Sequence, residues 1–528
     1  MFWNVAFFPL KLIIPFLAGI VLVRELRAEG FAVYGLSLAL LDFLGLFSDF
    51  GIDRTLPRYL PEVELKYGRQ GITRLMAGVT GIKGVVILLV VLSLALAPNY
   101  WITQFHLGTN RITLGHLGLG ANGNLILILI SVLLVLGALS DISIQFLYTH
   151  FRQRATNSLD VMVAVVRPSL TAAFVLIGWG VAGALLALLI ATVVSVVISV
   201  TLAIRLIRRV DIEPHPKARE VKLPSNRSLP QRMFSFAALN YLINWSVYLY
   251  DLDFVLLMMS ILITNNTVFI VQSAAIQLAY KFAKEFLRAL VVPLTGVQTP
   301  LFSRLYAEGR IEGLRTAYAT LTKVLILGLL PAGVGLIVTA RNLLQILYGQ
   351  KGGDAVMNPD TAHIIVACTA ILAIGVFGES IIGIALNVLM VYEDYGAVIT
   401  SRLFSLVSIP LLVWLLPTYG AIGGSIAVAV AGLGSRSVAL AFGWRKLGLR
   451  FPSAFFVRVG TSSAIMGYAL LPFLAYLPPD IPSTLVMIAT GLVVFLAAFK
   501  LLGGIDQADK DRLLSLRLPL VRQVLKYL

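Results

Sequence analysis

Three basic residues, Lys281, Lys284 and Arg288, sit inside an apolar run over 268–301. With Gln277 they follow i, i+4, i+7, i+11 spacing. On an α-helix that spacing makes one face. Ammonium and guanidinium groups placed so suit the oxygens of a phosphate or diphosphate. Ionisable groups inside a membrane are costly and face a cavity or a partner. The stripe therefore reads as a cationic wall for a phosphate-bearing ligand. The competing reading is snorkelling towards headgroups, or neutralisation by an acid such as the adjoining Glu285. Lys11, Lys83, Arg167 and Arg436 stand singly in other apolar runs and complete the candidate anion site. Lys11 lies between Pro9 and Pro15, where a kink is expected; its alternative is an ion pair with an acid such as Asp42.

The acids are fewer. Asp42, Asp251, Asp253 and Glu379 are candidates for a coupling-ion or proton site, against a simpler role as charge partners of the cations. Asn240 and Asn244, one turn apart, and Gln277 are candidates for sugar hydroxyls; interhelical hydrogen bonds are the alternative for the two asparagines. No HExxH, GxSxG or Walker A pattern occurs, so no catalytic residue, metal site or bound cofactor is expected. His106 and His116 have no partner set and read as surface. The single cysteine, Cys368, permits no intrachain disulfide.

The elements that must position these groups are membrane helices. Of 528 residues, 58% are hydrophobic and 13% charged, and the mean hydropathy is +0.90. A water-soluble enzyme, a coiled coil and a disordered chain are all excluded. Apolar stretches of about 20 residues recur throughout, as in a polytopic helical membrane protein. Fourteen spans are expected, among them 3–23, 31–51, 234–262, 268–301, 396–416 and 419–442. The fold class is all-α, with two pseudo-repeated six-helix bundles plus two C-terminal helices.

The net charge of +16 would suggest nucleic acid in a soluble domain. Here its placement argues otherwise. With the N-terminus inside, thirty of the 42 lysines and arginines fall in inner loops and the tail, five in outer loops and seven inside spans. That bias is topological and puts both termini in the cytoplasm; no nucleic-acid partner is expected. The first apolar run lacks the marks of a cleavable signal and reads as a retained span.

The halves look related at an offset of about 240 residues. Trp179-Gly-Val-Ala-Gly-Ala opens one span and Tyr419-Gly-Ala-Ile-Gly-Gly another. A six-span unit repeated keeps its orientation, so the repeat axis should run along the membrane normal. The expected organisation is an N-terminal bundle over 1–205, a Pro-rich cytoplasmic linker over 206–233, a C-terminal bundle over 234–450, two further helices over 451–503 and a tail over 504–528. In that tail, leucines at helical spacing interleave with arginines, as in an amphipathic surface helix; a loosely ordered basic tail is the alternative.

Phe31-Ala-Val-Tyr-Gly-Leu-Ser-Leu-Ala-Leu, Ser48-Asp-Phe-Gly-Ile-Asp and Leu60-Pro-Glu resemble the start of polysaccharide-transport proteins. These are the lipid-linked oligosaccharide (O-antigen) flippases of the multidrug/oligosaccharidyl-lipid/polysaccharide exporter superfamily. Pro300-Leu-Phe-Ser-Arg-Leu-Tyr-Ala-Glu-Gly, Leu347-Tyr-Gly and Tyr419-Gly-Ala-Ile-Gly-Gly continue the resemblance. It implies two six-helix bundles around a cavity that opens alternately to each side of the cell inner (plasma) membrane. It implies movement of a polyprenyl-diphosphate-linked glycan to the outer leaflet, within membrane lipid, beside polysaccharide polymerase or glycosyltransferase partners. Any drive would be a Na+ or H+ gradient, the membrane potential or removal of product. The rivals are a lipid II flippase or a multidrug exporter of the same superfamily, and a membrane glycosyltransferase or polymerase. The drug exporter would need acids and aromatics where these spans carry cations. The enzyme would need acidic residues on a large outer loop, and 98–122 holds no acid.

Overall fold

The structure, a computed structural model, describes residues 8–107, 122–149, 153–208, 228–287, 290–291, 298, 301–306, 308–349 and 359–504. Among these every regular element is helical. Backbone donors and acceptors have no water to bond in hydrocarbon, and the helix satisfies them internally. Arg288, the outer loop with His116, most of the linker and the basic tail lie outside the described residues.

Among the described residues ten helices are long and apolar enough to cross a membrane, or eleven with one bent pair counted as a span. This count does not confirm the expected fourteen. Two of the ten each cover two stretches counted separately in the sequence. Ile13–Asp49 breaks at Arg27, whose backbone is non-helical (φ 55, ψ −173), and Tyr395–Leu447 breaks at Gly420 (φ 53, ψ −130). The run over 268–301 passes partly outside the described residues. No irregular backbone is found around Lys11, where a kinked or irregular span was expected: the helical angles continue through Pro15, and the non-helical residue is Arg27.

Packing forms two compact units, Met1–Val271 and Gln272–Leu528. The first holds α1 (Phe8–Asp49), α2 (Ile52–Leu96), α3 (Pro98–Gln104), α4 (Gly123–Thr149), α5 (Gln153–Leu176), α6 (Gly180–Ile207), α7 (Leu229–Tyr248) and α8 (Leu252–Leu262). The next helix, α9 (Asn266–Tyr280), straddles the boundary and runs into a π-turn, Lys281–Phe286. The second unit then holds α10 (Ile311–Tyr348), α11 (Pro359–Phe377), a second π-turn (Gly378–Ile382), α12 (Ile384–Val391), α13 (Tyr395–Leu403), α14 (Ser408–Leu447), α15 (Ser453–Tyr476) and α16 (Ile481–Leu501). The two helices beyond the repeat, α15 and α16, pack on α10.

The hydrophobic effect cannot drive helices together in lipid, so close approach of small residues must. In the first unit α6 packs on α4 and α5 through a buried row of Ala187, Ala191, Ser195, Ser199 and Ala203. In the second unit α14 packs on α11, with Gly375 close against Ala429, and it carries a buried row of Ala427, Ala431, Ser435, Ala439 and Gly443. Every member of the second row stands 240 positions after its counterpart. The glycines preceding the rows, Gly180 and Gly420, both take positive φ. The repeat read from short motifs thus recurs in buried seams and in backbone geometry. Large apolar side chains such as Leu89, Ile82 and Val493 are exposed, as expected of a lipid-facing surface.

The seventh apolar stretch is not straight. Helices α7 and α8 meet at 63°, and Asp251 caps α8 by accepting from the Leu252 N–H. Within the first unit α7 packs on α1 and α2, and α8 on α1. The α1–α7 seam is aromatic: Phe47 meets Trp245 edge-on at 5.4 Å and Phe50 stacks on Tyr241 at 5.9 Å. His106 is not a solvated surface residue; it stacks on Phe269 at 4.8 Å.

A paired substitution tests the repeat geometry. A Cβ at residue 180 would meet nothing within 4 Å, whereas one at 420 would fall 2.6 Å from Gln272 Oε1. That oxygen accepts from the Ala421 N–H at 2.8 Å. Gly180→Ala should cost only the positive-φ strain, about 1–2 kcal/mol. Gly420→Ala should cost about 1 kcal/mol more through the disturbed hydrogen bond. Thermal unfolding of the two variants in detergent gives the order; equal shifts would contradict it.

Candidate functional site

Charged groups inside the spans are divided unequally between the units. In the first, α1 contributes Asp42, α4 Asp141, α5 Arg167, α2 Lys83, and the α7–α8 break Asp251 and Asp253. The structure brings these together. The Asp42 and Asp253 carboxyls stand within hydrogen-bonding reach, and Arg167, Asp251 and Asp141 act on the same group. Lys83 is buried and acts electrostatically on Asp141. Lys83 and Arg167 thus have acids in reach, the partner role offered by the sequence. Lys11 lies on α1, but its side chain falls outside what is described.

The asparagines are spent on the protein. Asn244 Nδ2 donates to Asp49 Oδ2 of α1 at 2.6 Å, and Asn240 Nδ2 donates to the Phe236 carbonyl of its own helix at 2.8 Å. Gln277 differs. It is buried, and its Nε2 has no hydrogen-bond partner among the described residues. A buried amide donor left unmade costs free energy, so this one is available to a ligand oxygen.

The cationic stripe is not the single α-helical face expected from its spacing. After Tyr280 the chain takes π-helical turns over Lys281–Phe286. These bond i to i+5 and are wider than an α-turn, so Lys284 is rotated off the face shared by Gln277 and Lys281. Lys284 is buried, and its ammonium lies 4.5 Å from the Tyr280 ring centroid, a favourable place for a cation. Lys281 is half-buried. This turn packs on α11 and α10.

Glu379 sits in the second π-turn. Its Oε1 is 3.6 Å from Arg436 Nη2 of α14. No group of three or more His, Cys, Asp or Glu residues with metal-binding geometry occurs among the described residues.

A clasp that the sequence reading did not single out ties α2 to α7. Arg232 Nη2 donates to both Glu62 oxygens, at 2.6 and 2.8 Å, and Lys66 Nζ donates to Oε1 at 2.8 Å. The Arg58 guanidinium lies 4.4 Å from the Phe236 ring centroid, and the Tyr59 hydroxyl donates to the Arg232 carbonyl. The available signal was the motif glutamate: Leu60-Pro-Glu ends on Glu62.

A family model described as polysaccharide biosynthesis protein matches residues 1–306. No curated protein matches the sequence. Among solved structures, the chain is similar to the lipid II flippase MurJ in its inward closed conformation. Identity is 15%, 93% of this chain and 97% of that one are covered, and the TM-score is 0.66. It is also similar to an inward-facing multidrug resistance MATE family transporter of the MOP superfamily, at 14% identity, 82% and 94% coverage and a TM-score of 0.60. At such identities the likeness concerns the fold.

The clasp lies at the ends of the apolar segments, with Glu62 before the span that opens at Lys66 and Arg232 in the first turn of α7. Burial opposes the Glu62 charge, but the Lys66 hydrogen bond and the Arg232 guanidinium outweigh it and hold this carboxyl below the ordinary glutamate range. A depressed carboxylate contributes stability that is present above its unfolded value and is lost as pH falls through its folded value. Arg232→Gln should therefore lower the apparent melting temperature at pH 7, by the equivalent of about 1 kcal/mol. The gap from wild type should close on acidification below the glutamate range. A gap that persists in acid would show that the contact is not ionic in origin.

Proposed function

The chain belongs to the polysaccharide biosynthesis protein family, and from that premise we propose that it is a flippase for a polyprenyl-diphosphate-linked oligosaccharide. It carries the lipid-linked repeat unit from the cytoplasmic to the outer leaflet of the inner membrane by alternating access, with both termini in the cytoplasm. The observation that carries this reading is the charge inventory of the second unit. Lys281, Lys284 and Arg436 lie in its apolar segments, with Glu379 opposed to Arg436 and Glu285 next to Lys284 in sequence. A diphosphate brings the negative charge and acceptor oxygens that such a set needs, while its polyprenyl chain stays in lipid. Gln277 adds an unspent donor for a phosphate or sugar oxygen.

The acid cluster of the first unit is the complementary feature. The Asp42–Asp253 contact is where a coupling H+ or Na+ would bind, with Arg167 as the opposing charge. An exporter of cationic drugs is the second reading. That cluster favours it, but the cations of the second unit disfavour it, since they would repel such a substrate. The fold neighbour that carries lipid II supports a lipid-linked cargo over a drug. The glycan fits a pathway in which glycosyltransferases build the repeat unit inside and a polymerase consumes it outside.

Neutralising Lys281 and Lys284 together to glutamine tests the anion site. A charged hydrogen bond contributes about 1.5–3 kcal/mol, so losing two predicts at least a roughly hundredfold slower translocation. The assay reconstitutes the full chain in liposomes with a fluorescent polyprenyl-diphosphate disaccharide and follows its exposure to an impermeant phosphatase. Unchanged rates at equal incorporation would remove the two lysines from the site.

A further inference from the structure

Resting on the reading of the second unit as an anion site, we propose that Glu379 is a built-in placeholder for the substrate's phosphate. It neutralises Arg436 while the site is empty and yields that arginine to a phosphate oxygen when ligand enters.

The repeat supplies the first argument. At the 240-residue offset, Glu379 and Arg436 correspond to Leu139 and Val196. The register is secured on both sides of the seam, because Ser140 and Ser195 correspond to Ser380 and Ser435. In the first unit these positions carry no charge, Leu139 being exposed on the apolar surface, and the Ser140 and Ser195 hydroxyls meet at 3.2 Å. The second unit departs from that arrangement at a cost. Residues 378–382 form a π-turn, a rare insertion that interrupts a helix and recurs at functional sites. The Ser435 hydroxyl, fully buried, has no hydrogen-bond partner among the described residues. The first unit folds with a leucine and a valine at these places and so needs no charge there. The charged pair and its π-turn therefore serve something other than packing.

The geometry supplies the second argument. At 3.6 Å the Glu379–Arg436 separation is a charge pair longer than a hydrogen bond. Its register is set by the backbone. The two elements press together at Gly378, where a Cβ would fall 1.8 Å from Leu433, one residue before Glu379 and one turn before Arg436. The pair is also not sealed: the Arg436 and Glu379 side chains keep 11% and 18% of their surface. In the apolar spans Ile311–Tyr348, Thr361–Val391 and Tyr395–Leu447, Glu379 is the one acid away from a helix end.

The physics of exchange follows. An arginine in a low-dielectric span requires a counter-anion at all times. A diphosphate offers two geometrically matched oxygens and more charge than a carboxylate, so it displaces Glu379, which retains enough surface to be taken up by water. On release the carboxylate returns. The placeholder thus lowers affinity for the anion, a useful property in a carrier that must let go.

Binding of farnesyl diphosphate to the full chain in nanodiscs tests this. Glu379→Gln should bind roughly tenfold tighter than wild type, and Arg436→Gln roughly tenfold weaker. The double variant Glu379→Leu/Arg436→Val installs the residues of the first unit; it should fold with at least wild-type thermal stability yet bind as weakly as Arg436→Gln. The charge swap Glu379→Arg/Arg436→Glu restores the pair, so a merely structural salt bridge would leave it binding as wild type, whereas a placeholder predicts weakened binding. Unchanged or weaker binding by Glu379→Gln, or wild-type binding by the swap, overturns the placeholder while the anion site stands. Absence of binding by wild type itself overturns the anion site and the placeholder with it.

Discussion

A charge in hydrocarbon must have a partner within a few ångströms, since moving an isolated ion out of water costs far more than any single packing contact returns. That constraint decides what can be built here. Arg167 lies in the field of Asp42, and Lys83 in that of Asp141. Lys284 rests on the Tyr280 ring, and Arg436 faces Glu379. These pairings fix which faces of α1, α2, α4 and α5 point inward in the first unit, and where the π-turns of the second unit must direct their side chains.

The division of charge follows the repeat only in part, and the departures carry the meaning. The buried rows of α6 and α14 place a small residue at every matching position at an offset of 240, so the two units share a scaffold. On it the first unit gathers carboxyls around two cations, while the second sets Arg436 against Glu379 and carries Lys281 and Lys284 on a separate π-turn. A duplicated scaffold frees each copy to specialise. Packing is secured by the small-residue rows, which leaves neighbouring positions free to take charge without loss of the fold.

Hydropathy made the membrane class and most spans legible in the sequence, because an apolar run of sufficient length has few other fates. Two breaks were legible too: the non-helical residues Arg27 and Gly420 fall at the boundaries that hydropathy drew between 3–23 and 31–51 and between 396–416 and 419–442. An irregularity around Lys11 was not found, since the backbone there keeps helical angles through Pro15. The cationic stripe was found, but its single face was not, because helical-wheel arithmetic assumes an α-turn throughout. Nothing in Lys281–Phe286 announces the wider turn. The asparagines illustrate a different limit. A polar residue in a span signals a partner, but only coordinates distinguish Asp49, which takes Asn244, from a sugar.

Both π-turns of the second unit coincide with its intramembrane charges, Lys281 and Lys284 in one and Glu379 in the other. A physical reason connects them. An α-helix packed through small residues holds its partner so close that a long charged side chain on the same face has no room. Widening one turn rotates the following residues and lets a polar side chain reach past the seam without parting the helices. Continuous α-geometry would oblige Glu379 to take the apolar environment in which Leu139 sits at the equivalent place in the first unit. The insertion costs hydrogen-bond quality and leaves the Ser435 hydroxyl unsatisfied, and what it provides is a carboxylate directed at Arg436 rather than at lipid.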